Sequence, residues 1–453
     1  MTRVLLLSTY EMGRQPFGLA SPAAWLRDAG CEVVALDLSR QPLDPDAVRA
    51  ADLVAFYLPM HTATRLAGPV IARVRALNPS ARLCAYGLYA PLNESHLRAL
   101  GVSHILGAEF EEELVALALG ANEPSTGNVM PLPRLAFRVP DRRMLPALTR
   151  YARLHVGTDD VRTVAYTEAT RGCKHLCRHC PIVPIYNGQF RVVPVDVVMA
   201  DVRQQIEAGA SHVTFGDPDF FNGPRHAMAI VERLAAEHPG VTYDVTIKVE
   251  HLLKHRALLP RLRETGCLFV TSAVEAVDDT ILAKLAKGHT RADFVEAVAL
   301  CRDAGLTLAP TFVAFTPWTT IEGYGELLAT LRELDLIEHV PSIQLAIRLL
   351  IPDGSRLLEL ADIRTLIDPF DAASLVHPWR HPDPRVDALQ DAIARVVGRA
   401  PRHSRSEIFE RIEALTYAAT GADAGVPEIV SQRPSGPAIV RAAVPYLDEP
   451  WYC

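Results

Sequence analysis

The stretch Glu168-Ala-Thr-Arg-Gly-Cys173-Lys-His-Leu-Cys177-Arg-His-Cys180-Pro181 places three cysteines at the spacing C-x3-C-x2-C. It directly follows an apolar run, residues 161–167, that is typical of a β-strand. Iron–sulfur clusters are bound by cysteine thiolates, and a cubane cluster usually takes four of them. Because the motif offers three, we expect one iron of such a cluster to remain open to a small molecule.

A structural zinc site is the alternative for these cysteines, and it would make the chain a metal-binding scaffold without catalysis. Zinc sites more often pair two C-x2-C elements that lie far apart in the sequence. This chain has one such pair, Cys177 and Cys180. The spacing therefore favours an iron–sulfur cluster.

The motif resembles the cluster-binding loop of the radical S-adenosylmethionine (SAM) superfamily. The resemblance implies that Cys173, Cys177 and Cys180 bind three irons of a [4Fe-4S] cluster, and that the fourth iron chelates the amino and carboxylate groups of SAM. It also implies reductive cleavage of SAM with one electron, from a donor of the flavodoxin or ferredoxin type. His179 stands where the family usually has an aromatic or large apolar residue near adenine, and an imidazole can also stack there.

Residues 161–350 alternate six candidate strands with helices, which matches the partial (β/α)6 barrel of this family. The strands are predicted at Val161–Thr167, Val213–Phe215, Tyr243–Ile247, Leu268–Ser272, Thr307–Val313 and Ile343–Leu349. In barrels of this kind the chemistry lies at the carboxyl ends of the strands. We therefore expect the site residues to follow these strands in the sequence.

Three of the predicted strands supply further site candidates. Asp217 follows the second strand, where many relatives carry Gly-Gly-Glu, so the resemblance implies an acceptor for the SAM ammonium; Asp219 can share that role, and a plain Asx turn is the alternative. Glu275 follows the fourth strand in a segment similar to one that contacts SAM, or it is an acid favoured by a helix N-terminus. Arg348 shares a face of the sixth strand with Gln344, and its planar fork suits a carboxylate of SAM or of the substrate.

Residues 1–120 alternate five short apolar strands with helices, which predicts an open parallel, Rossmann-like sheet. No G-x-G-x-x-G follows the first strand, so a dinucleotide site is not expected. The layout resembles the cobalamin-binding domain found upstream of many radical SAM cores, although the D-x-H-x-x-G signature is absent. The resemblance places the loop 58–65 against the corrin ring, with His61 and Arg65 near cobalt. An ordinary loop histidine and a solvated arginine are the alternative.

The remaining segments are a linker, residues 121–160, and a C-terminal region, residues 351–453, with two predicted helices. The linker arginines, among them Arg142 and Arg143, are expected to be solvated or bridging charges. The tail ends on Cys453 and resembles a radical SAM group with a Cys-Cys or Cys-selenocysteine tail followed by Ala-Glu-Pro. That resemblance implies that the protein continues through a UGA codon and that Cys453 binds a thiophilic atom such as arsenic during catalysis. A terminal cysteine without a role is the alternative.

Composition bears on the number of domains, the partners and the cellular compartment. A chain of 453 residues predicts two or three domains, and a net charge of −7 without a basic block does not favour nucleic acid as a partner. The chain has eight cysteines, and those outside the motif are scattered rather than arranged as a disulfide framework, so a reducing cytoplasm is expected. No apolar run reaches the roughly 18 residues of a membrane span.

Together these patterns predict an α/β protein with a Rossmann-like cobalamin-binding-like domain, a partial radical SAM barrel and a short helical C-terminal region. The expected function is a transferase with a [4Fe-4S] cluster, SAM and cobalamin that acts on a small molecule. Two reactions remain open: methyl transfer through cobalamin, and transfer of a 3-amino-3-carboxypropyl group to a soft atom such as arsenic, in organoarsenical natural product biosynthesis.

Overall fold

The computed structural model of the chain describes residues 1–107, 109–120, 135–157, 159–398, 404–421 and 444–448. Two sheets, one near each end of the sequence, organise these residues and confirm the predicted α/β fold. No helix among the described residues is long and apolar enough to cross a membrane.

The first sheet is fully parallel. Its strands are β1 (Arg3–Ser8), β2 (Glu32–Asp37), β3 (Leu53–Tyr57), β4 (Arg82–Tyr86) and β5 (His104–Leu106). They lie in the order β2-β1-β3-β4-β5. The order reverses between β1 and β3, and ligands of such sheets bind at the carboxyl ends of the strands at this switch point.

Helices cover both faces of the first sheet, as a parallel sheet requires. They are α1 (Phe17–Asp28), α2 (Pro45–Ala50), α3 (His61–Leu77), α4 (Tyr89–Leu92), α5 (Glu94–Ala99) and α6 (Glu111–Ala118). Successive residues of a strand point to opposite faces. In β1, Val4 and Leu6 enter the core on one side of the sheet, while Leu5 and Leu7 enter the core on the other side. This double burial explains why the strand is an unbroken apolar run.

The second sheet combines five parallel strands with antiparallel strands at one edge. Its strands are β6 (Arg153–Val156), β7 (Asp160–Thr167), β10 (His212–Phe215), β11 (Thr242–Thr246), β12 (Cys267–Glu275), β13 (Thr307–Phe312) and β14 (Tyr446–Leu447), while β8 (Thr170–Gly172) and β9 (Phe190–Val192) form a separate ribbon. The order β13-β12-β11-β10-β7 is parallel throughout, and β6 and β14 extend it antiparallel beyond β7.

Helices pack outside the second sheet and continue into the C-terminal region. They are α7 (Val183–Tyr186), α8 (Val195–Glu207), α9 (Pro224–Glu237), α10 (Val249–Lys254), α11 (Leu259–Glu264), α12 (Asp279–Leu285), α13 (Arg291–Asp303), α14 (Ile321–Glu333), α15 (Ala361–Leu366), α16 (Pro384–Gly398) and α17 (Arg405–Ala419). Helix α13 begins with a capping box in which Thr290 and Asp293 bond each other's backbone N–H groups.

The predicted sixth strand, Ile343–Leu349, is wrong. Pro341 precedes a short 3-10 turn, Ser342–Leu345, and the contact with the sheet is reduced to a single parallel bridge between Phe315 and Arg348. Gln344 is buried and its amide oxygen accepts a hydrogen bond from Phe312 N at 3.0 Å. A side chain therefore satisfies the last residue of β13 where a strand was expected.

One predicted helix, residues 251–265, is also divided. The structure has α10, a 3-10 turn at Arg256–Leu258 and then α11. Pro260 lies in the first turn of α11, where its missing N–H leaves no hydrogen bond unmade. The proline therefore starts a new helix at this point.

Arg142 is buried and takes the bridging role, one of the two roles expected for the linker arginines. Its guanidinium donates to both carboxylate oxygens of Asp201 at 2.7 and 2.8 Å, to Gln15 Oε1 at 2.7 Å and to Tyr166 O at 2.6 Å. Gln15 lies between β1 and α1, whereas Tyr166 and Asp201 belong to β7 and α8. One side chain thus joins the two sheets.

We expect Arg142→Ala to lower the free energy of unfolding by about 3–5 kcal/mol, because it leaves Asp201 as a buried charge without its partner. Urea unfolding of the cluster-free protein measures this change. Arg143→Ala is the control, since that side chain is exposed and should matter little. Equal stabilities of the two variants would contradict the bridging role.

Candidate active site

A cavity of about 350 Å³ lies between the carboxyl ends of the two sheets. The first sheet contributes the loops after β1, β3 and β4, and the second contributes residues in and after β7, β10, β11 and β12. This volume falls in the usual range for small-molecule sites. The cavity therefore lies where the switch-point rule and the barrel rule both place ligands.

The three motif cysteines converge at the edge of this cavity. Cys173 and Cys177 are buried, Cys180 is partly buried, and the flanking residues Gly172 and Ile182 line the cavity wall. Burial raises the pKa of the Cys173 and Cys180 thiols, the latter to about 12, and each is raised further by the other cysteines of the motif. The thiols are thus close enough to act on one another. A bound metal would reverse this shift, because coordinated thiols are deprotonated.

Two buried lysines approach the cysteine loop. Lys248, which directly follows Ile247 after β11, places Nζ 3.7 Å from Cys177 Sγ. Lys287 is 2% exposed, and its ammonium interacts electrostatically with Cys177 and Cys180. Burial lowers the pKa of Lys287, but Glu275 and the two thiols outweigh burial and raise it. The thiols therefore have positive charge beside them, as a group of thiolates requires.

Glu275 joins this charged group from the end of β12. Its Oε1 lies 3.3 Å from Lys287 Nζ and 3.1 Å from His179 Nε2. Burial acts to raise the pKa of Glu275, yet Lys287 and His179 hold it at about 2. Glu275 has φ of 72°, which is unusual for a residue other than glycine and marks local strain. The structure thus brings together His179 and Glu275, which the sequence had predicted separately.

Asp217 lines the cavity and is 2% exposed. Its carboxylate accepts hydrogen bonds from Ala169 N at 3.0 Å and from Thr170 Oγ1 at 2.5 Å. Burial nevertheless raises the pKa of Asp217 to about 6. The side chain therefore positions the backbone just before the cysteine loop, and each oxygen retains capacity to accept from a ligand.

Neither first-domain candidate lines the cavity. His61 is the first residue of α3, and its Nε2 lies 2.6 Å from Ser374 O in the C-terminal region. Arg65, one turn later, is exposed. The cavity wall after β3 is instead formed by Pro59 and Met60. The places of His61 and Arg65 beside a corrin ring therefore remain a prediction, and the residues of this loop that line the cavity are Pro59 and Met60.

Of the two predicted catalytic residues, the structure describes Arg348. Arg348 donates to Asp387 Oδ1 and to Trp379 O, each at 2.6 Å, and its guanidinium stacks on the Trp379 ring at 3.5 Å. Its planar fork is thus already occupied by residues of the C-terminal region, and Arg348 does not line the cavity. Cys453 lies outside the described residues, so its role stays a prediction.

The residues at this site fit the groups that the motif implies. Three soft sulfur donors converge beside two ammonium groups, which suits an anionic iron–sulfur cluster. Asp217 presents carboxylate oxygens in the cavity wall, a chemistry that suits the ammonium group of SAM. For cobalamin the position fits, since the cavity adjoins the switch point of the first sheet, but no histidine is among the described residues that line it.

Comparison with known families decides the nature of the second sheet. Residues 167–333 match the model of the Radical SAM superfamily. The part of the chain that builds the parallel strands of the second sheet is therefore similar to a radical SAM domain. This match confirms the radical SAM enzyme class predicted from the C-x3-C-x2-C motif.

Curated relatives of the radical SAM domain include transferases. The chain is 29% identical over 177 residues to hopanoid C-3 methylase of Methylococcus capsulatus, which covers 38% of this chain and 33% of that protein. It is 27% identical over 203 residues to tRNA-2-methylthio-N(6)-dimethylallyladenosine synthase of Chlorobium phaeovibrioides, covering 41% and 44%. The matched part spans less than half of either relative.

Solved structures share the arrangement of both sheets. OxsB, with aqua-cobalamin and SAM bound, has a TM-score of 0.69 at 12% identity over 92% of this chain and 72% of that chain. TsrM from Kitasatospora setae, with tryptophan and aza-SAM bound, has a TM-score of 0.62 at 18% identity, covering 74% and 72%. Another TsrM structure contains cobalamin and a [4Fe-4S] cluster. The cofactors expected from the sequence are those found in these neighbours.

Sequence reasoning missed Lys248 and Lys287 as neighbours of the cysteines, and Glu11 and Glu168 in the cavity wall. Lys248 follows a barrel strand and Glu11 follows β1, so the rule that sites follow strand ends could have identified both. Lys287 follows a helix, and the sequence carried no signal for its position. Glu168 belongs to the quoted motif, but nothing in the sequence indicates that it lines the same cavity as Glu11.

We expect Cys173→Ala to reduce bound iron from about four atoms per chain to a small fraction after anaerobic reconstitution, because a cubane cluster would lose one of its three protein ligands. Iron and sulfide content together with visible absorbance measure the loss. Cys31→Ser is the control, since that buried thiol lies in the first domain. Equal iron in both variants would contradict the assignment.

We expect Lys248→Met to make the reduction potential of the cluster more negative, because reduction adds a negative charge beside its ammonium. A tenfold change in the oxidised-to-reduced ratio corresponds to about 59 mV for one electron. Redox titration followed by electron paramagnetic resonance measures the shift. Lys254→Met removes an exposed ammonium from the same helix and should leave the potential unchanged.

Proposed function

We propose that this chain is a radical SAM transferase that cleaves SAM reductively and transfers a SAM-derived carbon group to a small-molecule acceptor. The observation that carries the proposal is the single cavity shared by the two sheets, with the cysteine loop at its edge. A site of this form holds SAM from the barrel side and a second group from the first-domain side. The electron donor, of flavodoxin or ferredoxin type, is part of the proposal.

The residues of the chain have separate parts in this function. Cys173, Cys177 and Cys180 bind the cluster, Lys248 and Lys287 offset its negative charge, and Asp217 accepts from the SAM ammonium. When bound, the cluster supplies one electron for the cleavage of SAM and cobalamin carries a methyl group. The buried inner wall, including Tyr166 and Thr214, excludes water from this chemistry.

Methyl transfer with cobalamin is the reaction that the comparisons favour. Hopanoid C-3 methylase is named for a methylation, and both OxsB and TsrM have been solved with cobalamin bound. The cavity after β3 is lined by Pro59 and Met60, which offer no nitrogen ligand. Cobalamin would therefore be held in this chain without a histidine from that loop.

Transfer of a 3-amino-3-carboxypropyl group to trivalent arsenic is the finer hypothesis drawn from the tail. It depends on Cys453 as a soft ligand, and that residue lies outside the described part of the chain. The hypothesis differs from methyl transfer in which bond of SAM breaks, so the nucleoside product separates the two.

A metal-binding scaffold without catalysis remains the alternative from another class, and one observation favours it. Candidate ligand atoms of Cys173, His175 and Asp219 all lie within 4.8 Å of one another, which is a donor set that zinc also accepts. Zinc and the cluster would compete for Cys173. Metal content therefore distinguishes the scaffold from the enzyme.

Anaerobic reconstitution with iron and sulfide, followed by SAM, hydroxocobalamin and a reductant, tests the proposal by mass spectrometry of the nucleosides. 5′-Deoxyadenosine together with S-adenosylhomocysteine is the result expected for cobalamin-dependent methylation. 5′-Methylthioadenosine would instead identify aminocarboxypropyl transfer. Cys31→Ser should behave as wild type and Cys173→Ala should give no product. Intact cluster without any SAM turnover, or one tight zinc per chain and no cluster, would contradict the enzyme.

A further inference from the structure

Carboxyl groups outnumber guanidinium groups in the wall of the cavity. The described residues that line it include four carboxylates but only two guanidinium groups. The carboxylates are Glu11, Glu168, Asp217 and Asp244, and the guanidinium groups are Arg14 and Arg171. Buried charges need partners, because leaving one without a counter-charge is costly.

Arg171 cannot balance this wall, because it already serves three carboxylates. Its Nε lies 2.9 Å from Glu168, its Nη2 lies 2.7 Å from Glu111 and its Nη1 lies 3.6 Å from Glu109. Glu109 and Glu111 lie behind the cavity in the first domain. Arg171 is therefore already paired with three carboxylates and does not neutralise Glu11.

Glu11 is attracted by the charges of Arg14 and Arg142, but one of its carboxylate oxygens accepts no hydrogen bond from the described residues. It follows β1, is 6% exposed and lines the cavity, and its Oε2 has no hydrogen-bond partner among the described residues. The next two residues, Met12 and Gly13, have positive φ angles of 48° and 71°, so the backbone turns directly after Glu11. Burial raises the pKa of Glu11 well above its usual range, and Glu168 raises it further.

Aromatic rings surround this pair of acids. Tyr57 and Phe17 line the cavity from the first domain, and Tyr166 lines it from β7, with the Phe17 and Tyr166 rings edge to face at 6.5 Å. Aromatic faces attract a desolvated ammonium and carboxylates pair with it, so the two together suit an organic cation.

We propose that Glu11 and Glu168 form a subsite for the ammonium group of the acceptor substrate, which is thus a small molecule with a basic nitrogen. The assignment rests on the proposed function. The resemblance to the radical SAM family places the amino group of SAM at the cluster iron, so a second ammonium at Glu11 belongs to the acceptor. The methionine part of SAM is the other source of the same chemistry, and the test separates the two.

The test uses the full chain with its cluster reconstituted and n-butylammonium chloride as the probe, with n-butanol as the uncharged match. Isothermal titration should show binding of the ammonium and none of the alcohol. Glu11→Gln should weaken ammonium binding about 10- to 100-fold, as expected for loss of one buried charge-assisted contact. Glu168→Gln provides a second variant if Glu11→Gln fails to fold, which circular dichroism reports.

Glu113→Gln is the matched control, because Glu113 is also a partly buried carboxylate of the first domain with an oxygen that has no hydrogen-bond partner among the described residues, and it does not line the cavity. Equal weakening in this control, or equal binding of ammonium and alcohol by wild type, would overturn the proposal.

A SAM titration on the same variants identifies the source of the ammonium. Unchanged SAM affinity in Glu11→Gln supports the acceptor, and a parallel loss of SAM affinity would overturn the assignment to the acceptor. Reductive SAM cleavage by wild type without n-butylammonium reports the proposed function separately. Failure of the enzyme activity can therefore be distinguished from failure of the ammonium subsite.

Discussion

The shared guanidinium of Arg171 is the contact on which the site depends. It belongs to β8, two residues before Cys173, and its carboxylate partners are Glu109 and Glu111 of the first domain and Glu168 after β7. An isolated buried guanidinium would cost several kcal/mol, so its presence requires all of the surrounding acids to stay in place. The start of the cysteine loop is therefore fixed relative to the first domain as well as to the barrel.

The far end of the cysteine loop is fixed in the same way. Tyr186, in α7, donates a hydrogen bond to Glu109 Oε1 at 2.8 Å. Gly172 has φ of 77° and passes so close to Gln189 that a Cβ there would lie 2.6 Å from its carbonyl oxygen. Both ends of the loop are thus held by the same group of buried acids. Only glycine at position 172 allows the backbone to pass so close to Gln189. Cofactor chemistry at the cysteines and ligand binding in the first domain are parts of one packed unit.

The success of the sequence analysis followed the strength of local signals. Strands β3, β4 and β5 begin and end at the predicted residues, because fully buried parallel strands are continuous apolar runs. The cysteine motif was likewise local and specific. The sixth strand failed because its apolar alternation does not reveal that Gln344 turns inward to satisfy β13.

Two site candidates, His61 and Arg348, make long-range contacts that the sequence did not predict. His61 was assigned to a ligand loop, but it begins α3 and turns to Ser374, 313 residues later in the chain. The guanidinium of Arg348 can bind a carboxylate, and in the structure it donates a hydrogen bond to the carboxylate of Asp387. Such pairings depend on tertiary packing, and no pattern near either residue in the sequence encodes them.

The short strand β14 has a consequence for how the molecule assembles. It pairs with β6, and Asp448 accepts a hydrogen bond from Arg153 N, across a sequence separation of 295 residues. Closing so long a loop carries a large entropic cost, and pairings of this kind form late in folding. During synthesis the outer side of β6, at the edge of the second sheet, therefore remains unpaired until almost 300 further residues have been added and β14 is available. Until then β6 is an open edge, the feature through which unfinished sheets most readily associate with other chains.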